Sequence, residues 1–263
     1  MRAWKLIAAL FLLYLAIPTA RSAVLWQPVD FDFKLEPISS KLTQRTVVQT
    51  FQDSRGFLWF LTEEGLNRFN GITLENYRHS RTEESSISSN EVTRITEDTR
   101  GRIWISTLGG GLNKFDSVNN NFTSFYTNAD INGSPLSNYI TTVFSDSQGT
   151  LWLGYKNSFS SFDPDTVTFY HYIGGKNGLP NLGVVNRFDE ASDGTLWAAT
   201  QAGVIEIDPK KKRVSVHTLS AAESNGIASK EISSLAIDDE DKVWLVSRDA
   251  GVRVINTKTG QST

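Results

Sequence analysis

Five tryptophans recur along this chain at steps of 45, 48, 45 and 47 residues, and each ends a similar seven-residue phrase. The phrase runs Asp-x-x-Gly, or a close variant, followed by one residue, an apolar residue and Trp. A unit of this length holds one small sheet, which has to bury its faces against its neighbours. The spacing therefore predicts an array of similar sheets. The five phrases occupy residues 53–59, 98–104, 146–152, 191–197 and 238–244.

Four short β-rich segments make up the first unit, at residues 47–51, 57–62, 65–69 and 72–77. Each is too short for a helix of ordinary length and is bounded by turn residues. The Asp of the phrase can accept hydrogen bonds from backbone N–H groups two residues on, and Gly adopts the positive φ of a tight hairpin. The phrase thus predicts a turn between the first and second strands of every unit.

The strand that carries each Trp is apolar on both faces, as in Leu58-Trp59-Phe60-Leu61 and Leu151-Trp152-Leu153. Both faces must then be covered. A two-layer sandwich leaves one face of each sheet in water, whereas radially stacked blades bury both. The pattern predicts an all-β chain, a β-propeller of four-stranded antiparallel blades, with every Trp in the core between blades.

A second phrase follows the Trp strand, as in Thr62-Glu63-Glu64-Gly65-Leu66-Asn67-Arg68-Phe69. Together the two phrases resemble the two-component regulator propeller repeats, whose pattern is Asp-x-x-Gly-x-Leu-Trp-Ile-Gly-Thr-x-x-Gly-Leu-x-x-Phe-Asp. The resemblance begins at Thr46 and covers about 220 residues. It implies the periplasmic sensor region of a membrane signal-transduction protein, which is a homodimer when full-length. The output domain, a histidine kinase or a diguanylate cyclase, is expected outside this chain.

The same resemblance implies seven blades in a ring, so the five repeats are expected to be part of a larger, seven-bladed propeller that is truncated at the C-terminus. A second arrangement stays open at this point. Residues 31–35 look like the outermost strand of a unit, and they could complete the blade of Trp244 and close a ring of five.

The first 22 residues differ from the rest of the chain. Arg2 and Lys5 precede an apolar run of 12 residues, and Ala20-Arg21-Ser22 ends it. This pattern predicts a secretory signal peptide over 1–22, with an uncleaved membrane anchor as the alternative, followed by the propeller over 23–263. The family resemblance implies a periplasmic location and tethering to the inner membrane in the full-length protein. Cleavage takes the formal charge from −3 to −6, and an acidic exported domain is a poor nucleic-acid binder.

Long polar loops on a rigid scaffold are the usual place for ligand binding. If the first strand of each blade runs downwards, the loops after the Trp strands and the loops between blades share the upper rim. We expect an unknown small molecule or oligosaccharide there, or a partner domain or second propeller. The ligand-binding candidates are Glu63, Glu64, Asn90, Asn138, Lys156, Asn157, Arg248 and Asp249.

An alternative function is a free exported propeller that serves as a binding scaffold or as a lyase or hydrolase. The three histidines, His79, His171 and His217, follow their tryptophans by 20, 19 and 20 residues, which predicts positions at the outer edge of three different blades. They cannot then converge on a metal or a substrate. The chain has no cysteine. We therefore expect no catalytic residues, no metal and no cofactor in this chain.

Overall fold

The computed structural model describes residues 37–128, 133–217, 231–248 and 251–256. All of them belong to one compact unit, Pro37–Thr263. The predictions on residues 1–22 and 31–35 lie outside the described residues. Among the described residues, no helix has the length and apolar content needed to cross a membrane.

A short 3-10 turn at Pro37–Ser40 precedes a succession of antiparallel strands. The strands of the first unit differ from the predicted bounds by two residues or fewer. Blade 1 contains β1 (Val47–Gln52), β2 (Leu58–Thr62), β3 (Gly65–Phe69) and β4 (Leu74–Tyr77); blade 2 contains β5 (Val92–Glu97), β6 (Ile103–Thr107), β7 (Leu112–Asp116) and β8 (Asn121–Phe125); blade 3 contains β9 (Thr142–Ser145), β10 (Leu151–Tyr155), β11 (Ser158–Asp163) and β12 (Thr168–Ile173); blade 4 contains β13 (Val185–Glu190), β14 (Leu196–Thr200), β15 (Gly203–Asp208) and β16 (Arg213–His217); and blade 5 contains β17 (Ser234–Ile237), β18 (Lys242–Ser247) and β19 (Gly251–Asn256).

Each blade is a meander whose strands pair in chain order. Blades 1 to 4 have four strands, and blade 5 has three within the described residues. The first strands β5, β9, β13 and β17 pack successively against one another, and β1 packs on β5, so these five form the inner edge of the blades. The fourth strands lie at the opposite, outer edge. This is the predicted propeller architecture.

The tryptophans of blades 1 to 4 are wedged between neighbouring blades, as predicted. Trp59, Trp104, Trp152 and Trp197 are only 0, 1, 2 and 4% exposed. Each packs with apolar side chains of the following blade. Trp59, for example, meets Phe115 of blade 2 edge-on, with ring centroids 5.1 Å apart. Burying such a side chain contributes about 1.5–3 kcal/mol or more through area alone.

Trp244 is the exception, and here the prediction of a buried core residue is wrong. Its side chain is 43% exposed, and Val246 on the same strand is 40% exposed. Every other repeat tryptophan faces the next blade along the chain. Within the described ranges no sheet covers the corresponding face of blade 5, so burial of the fifth Trp depends on a neighbour and not on its own phrase.

The Asp of the repeated phrase has two tasks, of which the sequence indicated only one. In blade 1, Oδ1 of Asp53 accepts the backbone N–H groups of Arg55 and Phe57 at 3.1 and 2.9 Å, which shapes the turn. Its Oδ2 accepts the indole N–H of Trp59 at 2.9 Å. Blades 2, 3 and 5 repeat the indole bond at 2.8 Å. One carboxylate therefore fixes both the turn and the wedge residue.

The carboxylate of blade 2 shows how strongly these donors act. Burial by itself raises the pKa of Asp98, but hydrogen bonds from the Trp104 indole and from the backbone and guanidinium of Arg102 outweigh it and hold the pKa below its ordinary value. The charged form is thus the one that the folded blade stabilises.

Blade 4 lacks this carboxylate because Ala191 stands at the Asp position. The turn still forms, since the Thr195 carbonyl accepts the Ala191 N–H at 2.9 Å and the Ala191 carbonyl accepts the Gly194 N–H at 2.9 Å. The indole N–H of Trp197, however, is buried without a hydrogen-bond acceptor in the described part of the chain. A buried unpaired donor costs about 1–3 kcal/mol.

Restoring the missing acceptor should stabilise the chain. We expect Ala191→Asp to raise the free energy of unfolding by about 1 kcal/mol, because the new carboxylate accepts the Trp197 indole N–H. Urea denaturation followed by circular dichroism measures the change. The matched control is the same substitution in a Trp197→Phe background, which has no indole N–H. An equal gain in both backgrounds would contradict the hydrogen-bond explanation.

Truncating a covered and an uncovered tryptophan should have unequal effects. We expect Trp152→Ala to lower the free energy of unfolding by about 3–5 kcal/mol, because it leaves a cavity between blades 3 and 4. Trp244→Ala should cost about 1–2 kcal/mol, since part of that side chain is already in water. Equal losses in parallel urea titrations would show that the fifth tryptophan is as well packed as the third.

The Asp-x-x-Gly turns lie together at one end of the blades, here called the lower rim, and tie each blade to the next. The Ser54 hydroxyl and backbone N–H donate to the carboxylate of Glu97 in blade 2 at 2.5 and 2.7 Å. Ser147 makes the same pair of bonds to Glu190 of blade 4, at 2.7 and 2.6 Å. The lower rim is thus occupied by contacts between blades.

In blade 5 the tie comes from a different position of the phrase. The equivalent of Glu97 and Glu190 is Ile237, which cannot accept a hydrogen bond. Asp241, which replaces the turn Gly and has a φ of 61°, instead accepts the Ser192 backbone N–H at 2.8 Å and its hydroxyl at 2.7 Å. The departure from Gly at this position therefore has a structural reason.

Candidate binding surface at the upper rim

The upper rim is formed by the hairpin loops 63–64, 108–111, 156–157 and 201–202, together with the segments between blades. Isolated backbone bridges join the hairpin loop of one blade to the segment that leads into the next, at Leu108 and Tyr139 and at Lys156 and Val184. The Gln201 N–H adds a bond to the Val184 carbonyl at 3.0 Å. The two sets of loops do share one face, as predicted, and they brace each other.

Two of the predicted site residues use their side chains inside this frame. Oδ1 of Asn90 accepts the backbone N–H of His79 at 2.7 Å, which closes the segment between blades 1 and 2. Oδ1 of Asn138 accepts the N–H of Thr127 at 2.7 Å in the equivalent place between blades 2 and 3. The Asn138 carbonyl also accepts the Gly109 N–H at 3.0 Å. Both amides therefore hold loop ends together.

Asn157 has a similar role between blades 3 and 4. It lies at a φ of 59°, its Oδ1 accepts the N–H of Leu182 at 2.8 Å, and its Nδ2 donates to the Gly174 carbonyl at 3.2 Å. The sequence reading missed Asn113, which is fully buried in blade 2 and holds Ser88 through both its amide oxygen and its amide nitrogen, at 3.0 and 2.7 Å. The signal for it in the sequence was a polar residue that recurs inside an otherwise apolar strand phrase.

The charged candidates are more available to a ligand. Glu63, Lys156 and Arg248 are exposed, and within the described residues none of their side chains forms a hydrogen bond or an ion pair. Glu64 is exposed as well, and Nη2 of Arg78 lies 3.2 Å from its Oε2. Asp249 lies outside the described residues. The rim thus offers both signs of charge on the hairpin loops.

Tyr139 is a rim residue that the sequence reading did not select. Its side chain is 66% exposed although it is a large aromatic. It lies over the loop of blade 2, where a Cβ added at Gly109 would be 3.9 Å from its ring. An aromatic face supported from below and open above suits stacking with an apolar face of a ligand such as a sugar ring. The signal for Tyr139 in the sequence was its place in a polar segment, between Asn138 and the buried Ile140.

The histidines lie at the outer edge of different blades, as predicted. His171 is on β12 and its Nδ1 is 2.7 Å from the Ser160 hydroxyl; burial lowers its pKa. His217 is on β16, 2.7 Å from the Glu206 carboxylate. His79 follows β4 and contacts the Ile87 carbonyl at 3.0 Å. In the part of the chain that the structure describes, no group of three His, Cys, Asp or Glu residues could hold a metal ion.

The fold, with its repeated Asp–Trp turns, places this protein in the class of β-propellers. A family model described as two component regulator propeller matches residues 86–109 and 134–157. Each match covers the end of one interblade segment, the inner strand, the turn and the Trp strand, in blades 2 and 3. The resemblance seen in the sequence is confirmed, and the chain carries two component regulator propeller repeats.

Solved structures show the same architecture. The extracellular domain of the hybrid two component system BT3049 from B. thetaiotaomicron is 27% identical, with a TM-score of 0.71 over 82% of this chain. Two structures of the extracellular domain of BT4673 from the same organism, described as a one component and a hybrid two component system, are 22 and 24% identical, with TM-scores of 0.68 and 0.70 over 84 and 86% of this chain. The likeness to BT4673 concerns the fold alone.

This chain spans 29% of the length of the BT3049 domain and 30 and 32% of the two BT4673 structures. Among curated proteins, none matches the chain in sequence.

Removing an amide brace and removing an exposed charge should separate structural from ligand-binding roles on the rim. We expect Asn138→Ala to lower the free energy of unfolding by about 1 kcal/mol, because the Thr127 N–H loses its acceptor. Lys156→Ala should stay within about 0.5 kcal/mol of the parent chain. Thermal and urea denaturation of both variants measure this. An unchanged Asn138→Ala variant would return that residue to the ligand-binding candidates.

Proposed function

We propose that this chain is the propeller part of an exported sensor, which binds a ligand on its upper rim and signals through an output domain outside residues 1–263. The observation that carries the proposal is the likeness to the extracellular domain of a hybrid two component system, at 27% identity over 82% of the chain. The predicted signal peptide over 1–22 and the periplasmic location agree with an extracellular relative. The propeller over 23–263 would have no catalytic role.

The two rims support this division of roles. On the lower rim, the serine hydroxyls donate hydrogen bonds to carboxylates of the next blade, so these groups are already occupied. On the upper rim, charged side chains and Tyr139 are exposed on loops whose backbones are braced. Because the loop backbones are already braced, the loops lose little backbone conformational entropy when a ligand binds.

The uncovered face of blade 5 supports a larger ring. Four interfaces bury one Trp each, whereas Trp244 and Val252 are 43 and 60% exposed. A further blade packed on this face would bury them as the other interfaces do, and seven blades in total are what the family resemblance implies. We propose that this face continues the ring in the full-length protein.

Ligand binding can be tested with the chain itself. A panel of neutral oligosaccharides screened by thermal shift and isothermal titration calorimetry should include one that binds saturably. Tyr139→Ala should weaken that binding about fivefold or more, because the stacking surface is lost. The matched control is Tyr170→Ala, which removes a 58% exposed tyrosine from the outer strand β12.

Two outcomes would overturn this proposal. One is a panel in which no member binds. The other is a bound oligosaccharide whose affinity falls as much with Tyr170→Ala as with Tyr139→Ala, because binding would then lie away from the upper rim.

A further inference from the structure

One register position on the inner strands is shared by all five blades. On each inner strand, the residue at this position is the β-ladder partner of the residue two places after the repeat Trp. In blades 1, 3 and 5 the position holds an uncharged polar side chain, and in blades 2 and 4 it holds arginine. The five residues are Gln49, Arg94, Thr142, Arg187 and Ser234.

Both arginines follow a β-bulge. The register of β5 on β6 shifts between Val92 and Arg94, and that of β13 on β14 shifts between Val185 and Arg187. Bulges re-aim side chains and are over-represented next to functional sites. The residues across the two ladders, Ser106 and Ala199, are small and fully buried.

The side chain of the bulged residue just before each arginine is hydrogen-bonded to the next blade. The Thr93 hydroxyl donates to the Ile140 carbonyl at 2.9 Å, and Nδ2 of Asn186 donates to the Ile232 carbonyl at 2.7 Å. These bonds fix the backbone from which each arginine side chain starts. The strand β9 lies between β5 and β13 and packs against both, so the two arginines flank the inner strand of blade 3.

Neither guanidinium is paired with a carboxylate among the residues that the structure describes. Arg94 and Arg187 are each partly buried, and within the described residues neither guanidinium forms an ion pair or a hydrogen bond. The carboxylate nearest to Arg187 along the chain, that of Asp189, accepts the backbone N–H groups of Ile237 and Glu190 at 2.9 and 3.0 Å.

The two positive charges also act on each other. Burial, and next the positive charge of Arg187, lower the pKa of Arg94. Burial removes part of the solvation of a charge, and a counter-charge offsets that cost. Two unpaired cations at equivalent, bulge-directed positions thus form an arrangement that an anion would stabilise.

We propose that Arg94 and Arg187 bind an oxyanion, a carboxylate or sulfate group, between the inner strands near the upper rim. Each arginine is the third residue of its strand, counted from the upper end. A guanidinium presents a planar fork of donors that matches carboxylate and sulfate oxygens. An acidic ligand approaching from the upper rim would reach the pair first with its charged group.

The test uses the whole chain and three probes at constant ionic strength: sodium sulfate, sodium galacturonate and, as the neutral counterpart, galactose. We expect saturable binding of sulfate or galacturonate by calorimetry, and a rise in Tm of about 2–4 °C at roughly tenfold the Kd. The probe that binds more tightly identifies the group. Galactose should give no such rise through the arginines.

The variant pair is R94Q/R187Q with R213Q as its control, because Arg213 is exposed on the outer strand β16. R94Q/R187Q should lose the saturable Tm rise and, without anion, melt at or above the parent Tm, since the repulsion between like charges is gone. R213Q should behave as the parent. R187K, which keeps the charge but not the fork, should bind about tenfold more weakly and covers the case in which the double variant does not fold.

Three results would overturn the proposal. The first is that neither anion binds saturably. The second is that sulfate raises the Tm of the parent chain and of R94Q/R187Q equally, because that rise comes from the general exclusion of sulfate from protein surfaces. The third is that R187K binds the anion as tightly as the parent chain. The outcome is independent of the sensing function, because binding of a neutral oligosaccharide through Tyr139 is measured separately and does not involve the arginines.

Discussion

The bond between the repeat Asp and the indole of the repeat Trp is the interaction on which the rest of this structure depends. It connects a tight turn at the lower rim to the side chain that fills the space between two blades. Because one oxygen of Asp53 shapes the turn while the other holds Trp59 at 2.9 Å, the turn cannot shift without moving the wedge. In this blade a single carboxylate therefore couples the local chain geometry to the orientation of the side chain that packs between the blades.

Two exceptions show the separate contributions of the bond. Trp197 keeps its place between blades 4 and 5 although no described residue accepts its indole N–H, so apolar packing is enough to hold an indole there. Trp244 keeps its bond to Asp238 at 2.8 Å and is nevertheless exposed, so the bond alone does not bury the ring. The carboxylate orients the indole, and the neighbouring blade buries it.

Much of the fold could be predicted because the repeated phrase carries its own physics. The turn residues, the strand lengths and the apolar pattern on both faces of the Trp strands lead to radially stacked blades. The site was harder to predict. Asn90, Asn138 and Asn157 look like free polar loop residues in the sequence, but their amides hold backbone N–H groups that come from segments 11 to 25 residues away. The sequence does not distinguish Tyr139 from other aromatic residues, because its position over Gly109 is visible only in the structure.

The sequence by itself determined the unit of this protein: a four-stranded meander repeated five times, with an Asp-directed turn in four of the units and an indole in each unit that has to be covered. It could do so because turn chemistry and strand periodicity act over a few residues. Only the tertiary structure decided which indole is covered, which rim is occupied by contacts between blades, and that Arg94 and Arg187 flank one inner strand with no counter-charge among the described residues. Those outcomes depend on which neighbour each blade meets, and about 46 residues of chain separate the partners.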